Sequence, residues 1–209
     1  MTRAPFHMGP VLTLIRRYPR VVFALFVALL IAIGTAVVTH RPFPPDATPE
    51  GAYARIALAV SNGRPRDAFA YLETEAQWAC YSIRDARRQA SRRIESSYPQ
   101  VERDRLLGEM RDVADANDGP DVFVLLANRC GWIQRLEKDL SGPIQTEVRG
   151  DRATVVTARG TRYSFRRRDN GIWGLTLFTA ELQAEAERAA RDLEGIQRAA
   201  DDYDRERAP

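Results

Sequence analysis

Residues 21–38 carry no charged side chain, and the only charges ahead of them are Arg3, Arg16, Arg17 and Arg20. At about 1.5 Å rise per residue this stretch makes roughly 27 Å of helix, enough to cross a hydrocarbon core about 30 Å thick. The four arginines, with no acid among them, predict a cytoplasmic leader over 1–20 and a transmembrane helix over 21–38. Everything from about His40 onward is then expected in the periplasm, on the outer side of a bacterial inner membrane. The competing reading is a cleaved signal peptide, because Gly34 and Ala36 have the spacing of a cleavage site. The length of the apolar stretch and of the leader before it favours a retained anchor. Both readings deliver the same domain to the same compartment.

The charge balance follows from that division. The chain has 31 basic and 28 acidic side chains, but residues 1–41 hold five of the basic ones and no acid, leaving 31 − 5 = 26 against 28 in the exported part. The basic character therefore belongs to the anchor, and no nucleic-acid partner is expected. Residues 39–47 contain Pro42, Pro44 and Pro45 and read as a stiff spacer. About 160 residues remain, enough for one domain with a real core.

Along that domain, 48–178, Thr48, Pro49 and Glu50 form a helix start, and Asn62-Gly63 a stop, with Tyr53, Ile56, Ala57 and Val60 at helical spacing between them. A second helix is predicted from Pro65, burying Ala68, Phe69 and Leu72. Residues 78–118 read as helical with a break at Pro99, and 122–140 as one further helix presenting Val122, Leu125, Leu126, Trp132, Ile133 and Leu136. Arg84, Arg87, Arg88, Arg92 and Arg93 make either a solvated face interleaved with acids or an anion-binding patch, the former being favoured. Cys80 and Cys130 are the only cysteines. In an oxidising compartment the pair reads as a disulfide, the alternative being two separate buried thiols. Trp78 and Trp132, each two positions away, are expected to join both cysteines in one aromatic core.

After Ser141-Gly142-Pro143 the apolar period changes from 3.6 to 2. A two-residue turn at Gly150-Asp151 sets Ile144, Thr146 and Val148 opposite Thr157, Val155 and Ala153. Three-residue loops at 158–160 and 169–171, each with glycine in the left-handed position, then bring Val155 and Ala153 to Tyr163 and Phe165. They also set Tyr163, Phe165 and Arg167 opposite Leu177, Leu175 and Trp173. The prediction is a four-stranded antiparallel meander with one apolar face, and on its other face Arg152, Arg162, Arg166, Arg168, Gln145 and Glu147. Helices covering the apolar face make this an α+β arrangement. The tail, 179–209, is expected as a long amphipathic helix whose seam (Leu182, Ala186, Ala189, Leu193, Ile196, Ala200, Tyr203) either docks on the parent domain or forms a homodimer.

The inventory limits the chemistry. The only histidines are His7 and His40, both outside the domain. Triads that rely on an imidazole base and histidine-containing metal sites are excluded, and no phosphate loop or nucleophile elbow is present. No cofactor or catalytic residue is expected. Tyr163, Phe165 and Trp173, with Arg167 as the ionisable group beside Tyr163, form either plain core or the lining of a pocket for a small anionic or amphipathic ligand.

Several stretches resemble the NTF2-like (SnoaL-like) superfamily. These are the helical hairpin 53–72, with Gly63-Arg64-Pro65-Arg66-Asp67-Ala68-Phe69 at its turn, the segment Gly150-Asp151-Arg152-Ala153-Thr154-Val155, and Asn170-Gly171-Ile172-Trp173-Gly174-Leu175. The resemblance implies helices closing a cone against a curved sheet, with a pocket used by some members for catalysis and by many for binding only. Two departures stand out: a long helical insertion, 77–142, and the tail helix. The resulting expectation is a non-enzymatic binding or assembly domain with an envelope protein partner. The alternatives are an envelope enzyme or carrier using the cone, and a binder of anionic glycan or lipid head groups through the arginine face.

Overall fold

The computed structural model describes residues 44–208 and the single position Val27. Apart from Val27, the segment assigned to the membrane lies outside the described residues, among which no helix is long and apolar enough to cross a bilayer. Residues 44–208 form one unit of seven α-helices and a four-stranded antiparallel sheet.

Helix α1 (Pro49–Ser61) starts as its residues dictate: the Thr48 hydroxyl accepts from the Gly51 N–H at 3.1 Å, and Pro49 occupies the first helical position. It stops at Asn62, where Gly63 takes a φ of +66°. The second predicted helix is shorter than its apolar residues suggested. Helix α2 (Pro65–Ala68) passes into a 3₁₀ turn (Phe69–Tyr71), and Leu72 leaves it extended. Ala68, Phe69 and Leu72 are buried as expected, but Leu72 is needed elsewhere: it makes a parallel bridge to Leu175.

Helices α3 (Thr74–Ser97) and α4 (Gln100–Ala114) flank Pro99, which ends the first and begins the second. The predicted helix over 122–140 is two helices, α5 (Gly119–Arg129) and α6 (Trp132–Asp139). They divide at Gly131, whose φ of +67° and N–H donation to Asn128 O close off α5. The division turns the second amphipathic stripe so that Trp132, Ile133 and Leu136 all reach the core.

The sheet runs in order β1 (Pro143–Arg149), β2 (Arg152–Thr157), β3 (Arg162–Arg167), β4 (Trp173–Leu175). Its register follows the turn chemistry. Thr146 faces Val155 and Val148 faces Ala153; Val155 and Ala153 face Tyr163 and Phe165; Phe165 and Arg167 face Leu175 and Trp173. Gly150, Gly160 and Gly171 all take positive φ. Two details differ. A bulge between Pro143 and Gln145 removes Ile144 from its place opposite Thr157, and Leu177 lies beyond the end of β4.

Helix α7 (Thr179–Arg207) lies along α3. The two run parallel: Glu73 meets Thr179 at one end, and Ser97 meets Asp204 and Arg207 at the other. The Leu72–Leu175 bridge explains this orientation, since two chains leaving a parallel pair in step enter their helices side by side. Of the tail seam, Leu182, Ala189, Ile196 and Ala200 are buried against the parent domain.

Candidate functional site

The bridge forces a close approach. A Cβ on Gly174 would sit 2.5 Å from Glu73 Cα and 2.7 Å from its nitrogen, so only glycine lets β4 lie against the Leu72–Glu73 backbone. Glu73 is thereby held just ahead of α3 as its N-cap residue and beside Thr179, the first residue of α7, although its side chain caps no backbone N–H of α3.

Glu73 is 5 % exposed. Its Oε2 accepts from the Thr179 hydroxyl at 3.1 Å, and its Oε1 lies 3.4 Å from Arg166 Nη1. The same guanidinium reaches Glu75 at 3.1 Å and Asp151 at 3.8 Å. Burial raises the Glu73 pKa above the ordinary 4.5 and the neighbouring Glu75 adds to it, while Thr179 and Arg166 pull it back. Arg168 completes the corner, donating to Ala70 O at 2.8 Å and Gln77 Oε1 at 3.1 Å, while Gln77 donates to Phe69 O and Leu72 O. Two arginines assigned to the wet face of the sheet therefore tie it to the segment that precedes α3.

Beside this corner a groove of about 610 Å³ opens between α3 and α7, lined by Thr74, Glu75, Trp78, Ala79, Ser82, Gln183, Ala186 and Glu187. Trp78 is 71 % exposed. It was expected in the core beside Cys80, yet two helical positions lie roughly 200° apart around the axis, so with Cys80 facing inward Trp78 faces out. On the other side of the pair only Trp132 is buried; Cys130 is exposed at the end of α5.

Both cysteines are free thiols in this structure, so the sequence-expected bond between them is not formed. Cys80 packs in the main core, where burial pushes its thiol up to about 12. Cys130 follows Arg129, which shares a cleft with Arg87, nearly two turns along α3 from Cys80.

The residues expected either as plain core or as a pocket lining, Tyr163, Phe165, Trp173 and Arg167, divide between core and surface. Tyr163, Phe165 and Trp173 are 3, 1 and 4 % exposed, so they are core residues and not the lining of an open pocket. They share one core with Phe123, Trp132, Ile133 and Leu136 from the insertion and with Phe178, whose ring stacks on Trp132 at 4.9 Å. The Tyr163 ring packs on Tyr53 at 5.2 Å, and burial pushes its hydroxyl up to about 12. Trp173 donates to Ala47 O at 3.1 Å. Arg167 has the inward parity but lies at the end of β3, beyond the covering helices, and is exposed.

The arginine run on α3 joins helices. Arg88 donates to Ala114 O and Ala116 O, Arg84 to Asn117 O, Arg87 to Asp192, and Arg93 to Asp201. Among the described residues no group of three or more His, Cys, Asp or Glu side chains is placed to hold a metal. Sequence reading missed Glu73 and Trp78; the one local signal for Trp78 was its helical angle to Cys80, and Glu73 had none, because its partners lie about a hundred residues away.

No protein-family model, curated protein or solved structure matches this chain.

Proposed function

We propose that the chain is a single-pass inner-membrane protein, anchored through residues 21–38. Its periplasmic domain, an NTF2-like layout with a helical insertion, serves as a non-enzymatic binding or assembly module for an envelope protein. The observation that carries this reading is the closed interior. The inner sheet face, where a cone pocket would lie, is filled by Phe123, Trp132, Ile133 and Leu136, while the large exposed aromatic, Trp78, stands on an outer groove. Glu73, the buried carboxylate that an enzyme reading needs, is enclosed and shared with Arg166 and Thr179.

The test is crosslinking in intact cells followed by mass spectrometry, with Trp78→Ala as the comparison. The reading expects a discrete envelope partner whose yield falls with the substitution. Turnover of esters, epoxides or ketosteroids by the purified protein, abolished in Glu73→Gln, would replace it with the enzyme reading.

A second reading has its own observation. Arg149 and Arg152 face each other across β1 and β2, a like-charge pair that destabilises a sheet, while Arg166, next in the row, is already held by Glu73, Glu75 and Asp151. An anionic head group or glycan bound at the cleft lined by Arg149, Arg152, Arg162 and Glu147, the last lying 3.7 Å from Arg162, would relieve that repulsion. Binding to anionic vesicles that collapses between low and physiological salt supports this reading, and salt-independent behaviour removes it.

A further inference from the structure

The two edges of the sheet are treated differently. The β4 edge is closed by the chain itself, through the Leu72–Leu175 bridge and the Glu73 N–H donating to Leu175 O at 3.1 Å. The β1 edge has no strand beyond it among the described residues. Ile144 and Val148 on β1 are 69 and 54 % exposed, although the sequence pattern assigned them to the apolar face.

Which backbone groups face that open edge follows from the pairing. The Arg167 N–H donates to Asp151 O at 2.7 Å, so the odd-numbered residues of β2 bond to β3 and the even-numbered ones bond to β1. Their partners Arg149, Glu147 and Gln145 are therefore turned inward. Thr146 and Val148 present their N–H and C=O groups to the open side.

We infer that β1 is the contact between two copies of this chain, paired antiparallel about a two-fold axis at Thr146. The strand is self-complementary in that register. Ile144 of one copy lies opposite Val148 of the other, Gln145 opposite Glu147, and Thr146 opposite itself, so exposed apolar residues meet each other and a carboxylate meets an amide. The reciprocal hydrogen bonds fall at Thr146, whose backbone groups are the ones left open. Pro143 and the bulge end the pairing surface on one side and the Gly150 turn on the other, which holds the interface to the small class. Pairing the edges joins the two sheets into one eight-stranded sheet (4 + 4). This inference stands apart from the assembly reading above: a monomer that recruits an envelope partner would defeat the one and leave the other.

The experiment uses the full chain in its membrane with Cys130→Ser, which leaves the buried Cys80 as the only native thiol. Thr146→Cys treated with a short bismaleimide is expected to give a covalent dimer, and Asn170→Cys at the β3–β4 turn to stay monomeric. In detergent, sedimentation of Thr146→Pro, which removes an outward N–H together with the half-buried threonine side chain, is expected to show dimerisation weakened roughly tenfold or more in a protein that still melts cooperatively. The inference is overturned if Thr146→Cys fails to crosslink, whether or not Arg198→Cys on the tail helix does. It is equally overturned if folded Thr146→Pro dimerises like the parent. Should Thr146→Pro not fold, the Thr146→Cys result decides alone.

Discussion

The two ends of the α3–α7 pair are held by different physics. At the N-terminal end the helices rise from a parallel bridge and join the main core, with Cys80, Ile83, Leu182 and Ala189 packed beside the sheet. At the C-terminal end a second, smaller cluster of Ala90, Ile94, Tyr98, Met110, Ile196 and Ala200 is made by α3, α4 and α7 alone. There a charged clasp of Arg93, Asp201, Asp204 and Arg207 closes the end. One end rests on residues brought together from most of the described elements, the other on three helices alone. The difference predicts cooperative unfolding for the first and local opening for the second.

Substitution in the two clusters is the strongest way to break that contrast. Phe165→Ala should cost about 3–5 kcal/mol and lower the whole denaturation curve. Ile94→Ala should cost about 2–4 kcal/mol, with the loss appearing first as faster hydrogen exchange over α4 and the last turns of α7. Equal loss of protection everywhere in both variants would show that the two clusters unfold as one.

Next in size is the close approach that starts the pair. Gly174→Ala places a methyl against the Glu73 backbone and should destabilise by about 1–3 kcal/mol, whereas Gly195→Ala, on an open part of α7, should be neutral or slightly stabilising. Thermal melts of the two variants check this directly.

Thiol chemistry measures the opening itself. With Cys130 removed, Cys80 should react with a thiol reagent only at the rate of global unfolding. Ala90→Cys, buried in the smaller cluster, should react faster under the same native conditions. In material exported by cells, a Cys80 and Cys130 that both stay unreactive until reduction would instead reveal the disulfide.

The smallest effects have opposite signs at the two ends. Glu73 has a raised pKa, chiefly through burial, so its cost appears as pH rises through 4.5 toward the folded value and is constant above it. Glu73→Gln should therefore gain on the parent protein across that window. For Asp204 burial works upward, but hydrogen bonds from Ser97, Arg93 and Arg207 win and lower its pKa below 3.8. Its contribution is present above 3.8 and lost as pH falls through the folded value, so Asp204→Asn should matter least in acid. Stability against pH for both variants tests the pair.

How much was legible varied with the range of the interaction. The Thr48 cap, the stop at Gly63, the break at Pro99 and the pairing of β1 to β4 depend on residues a few positions apart, and their side chains carry the signal. The division at Gly131 was equally local and could have been read from a glycine between two apolar stripes. Helix α2 was overextended because Leu72 is buried in either conformation, and burial alone does not distinguish a helix from a bridge. The stripe of Tyr163, Phe165 and Trp173 was legible as a face, but whether helices would fill it or leave a pocket was not.

By itself the sequence determined the α+β class, the strand register away from the Pro143 bulge and most of the apolar faces of the helices, because periodicity, caps and turn glycines act within one or two turns of the chain. Only the tertiary structure decided that α3 and α7 run parallel, that Glu73 sits buried at both their N-termini, and that β1 has no strand beyond it among the described residues. Those outcomes depend on contacts between residues about a hundred positions apart, for which no local pattern supplies the geometry.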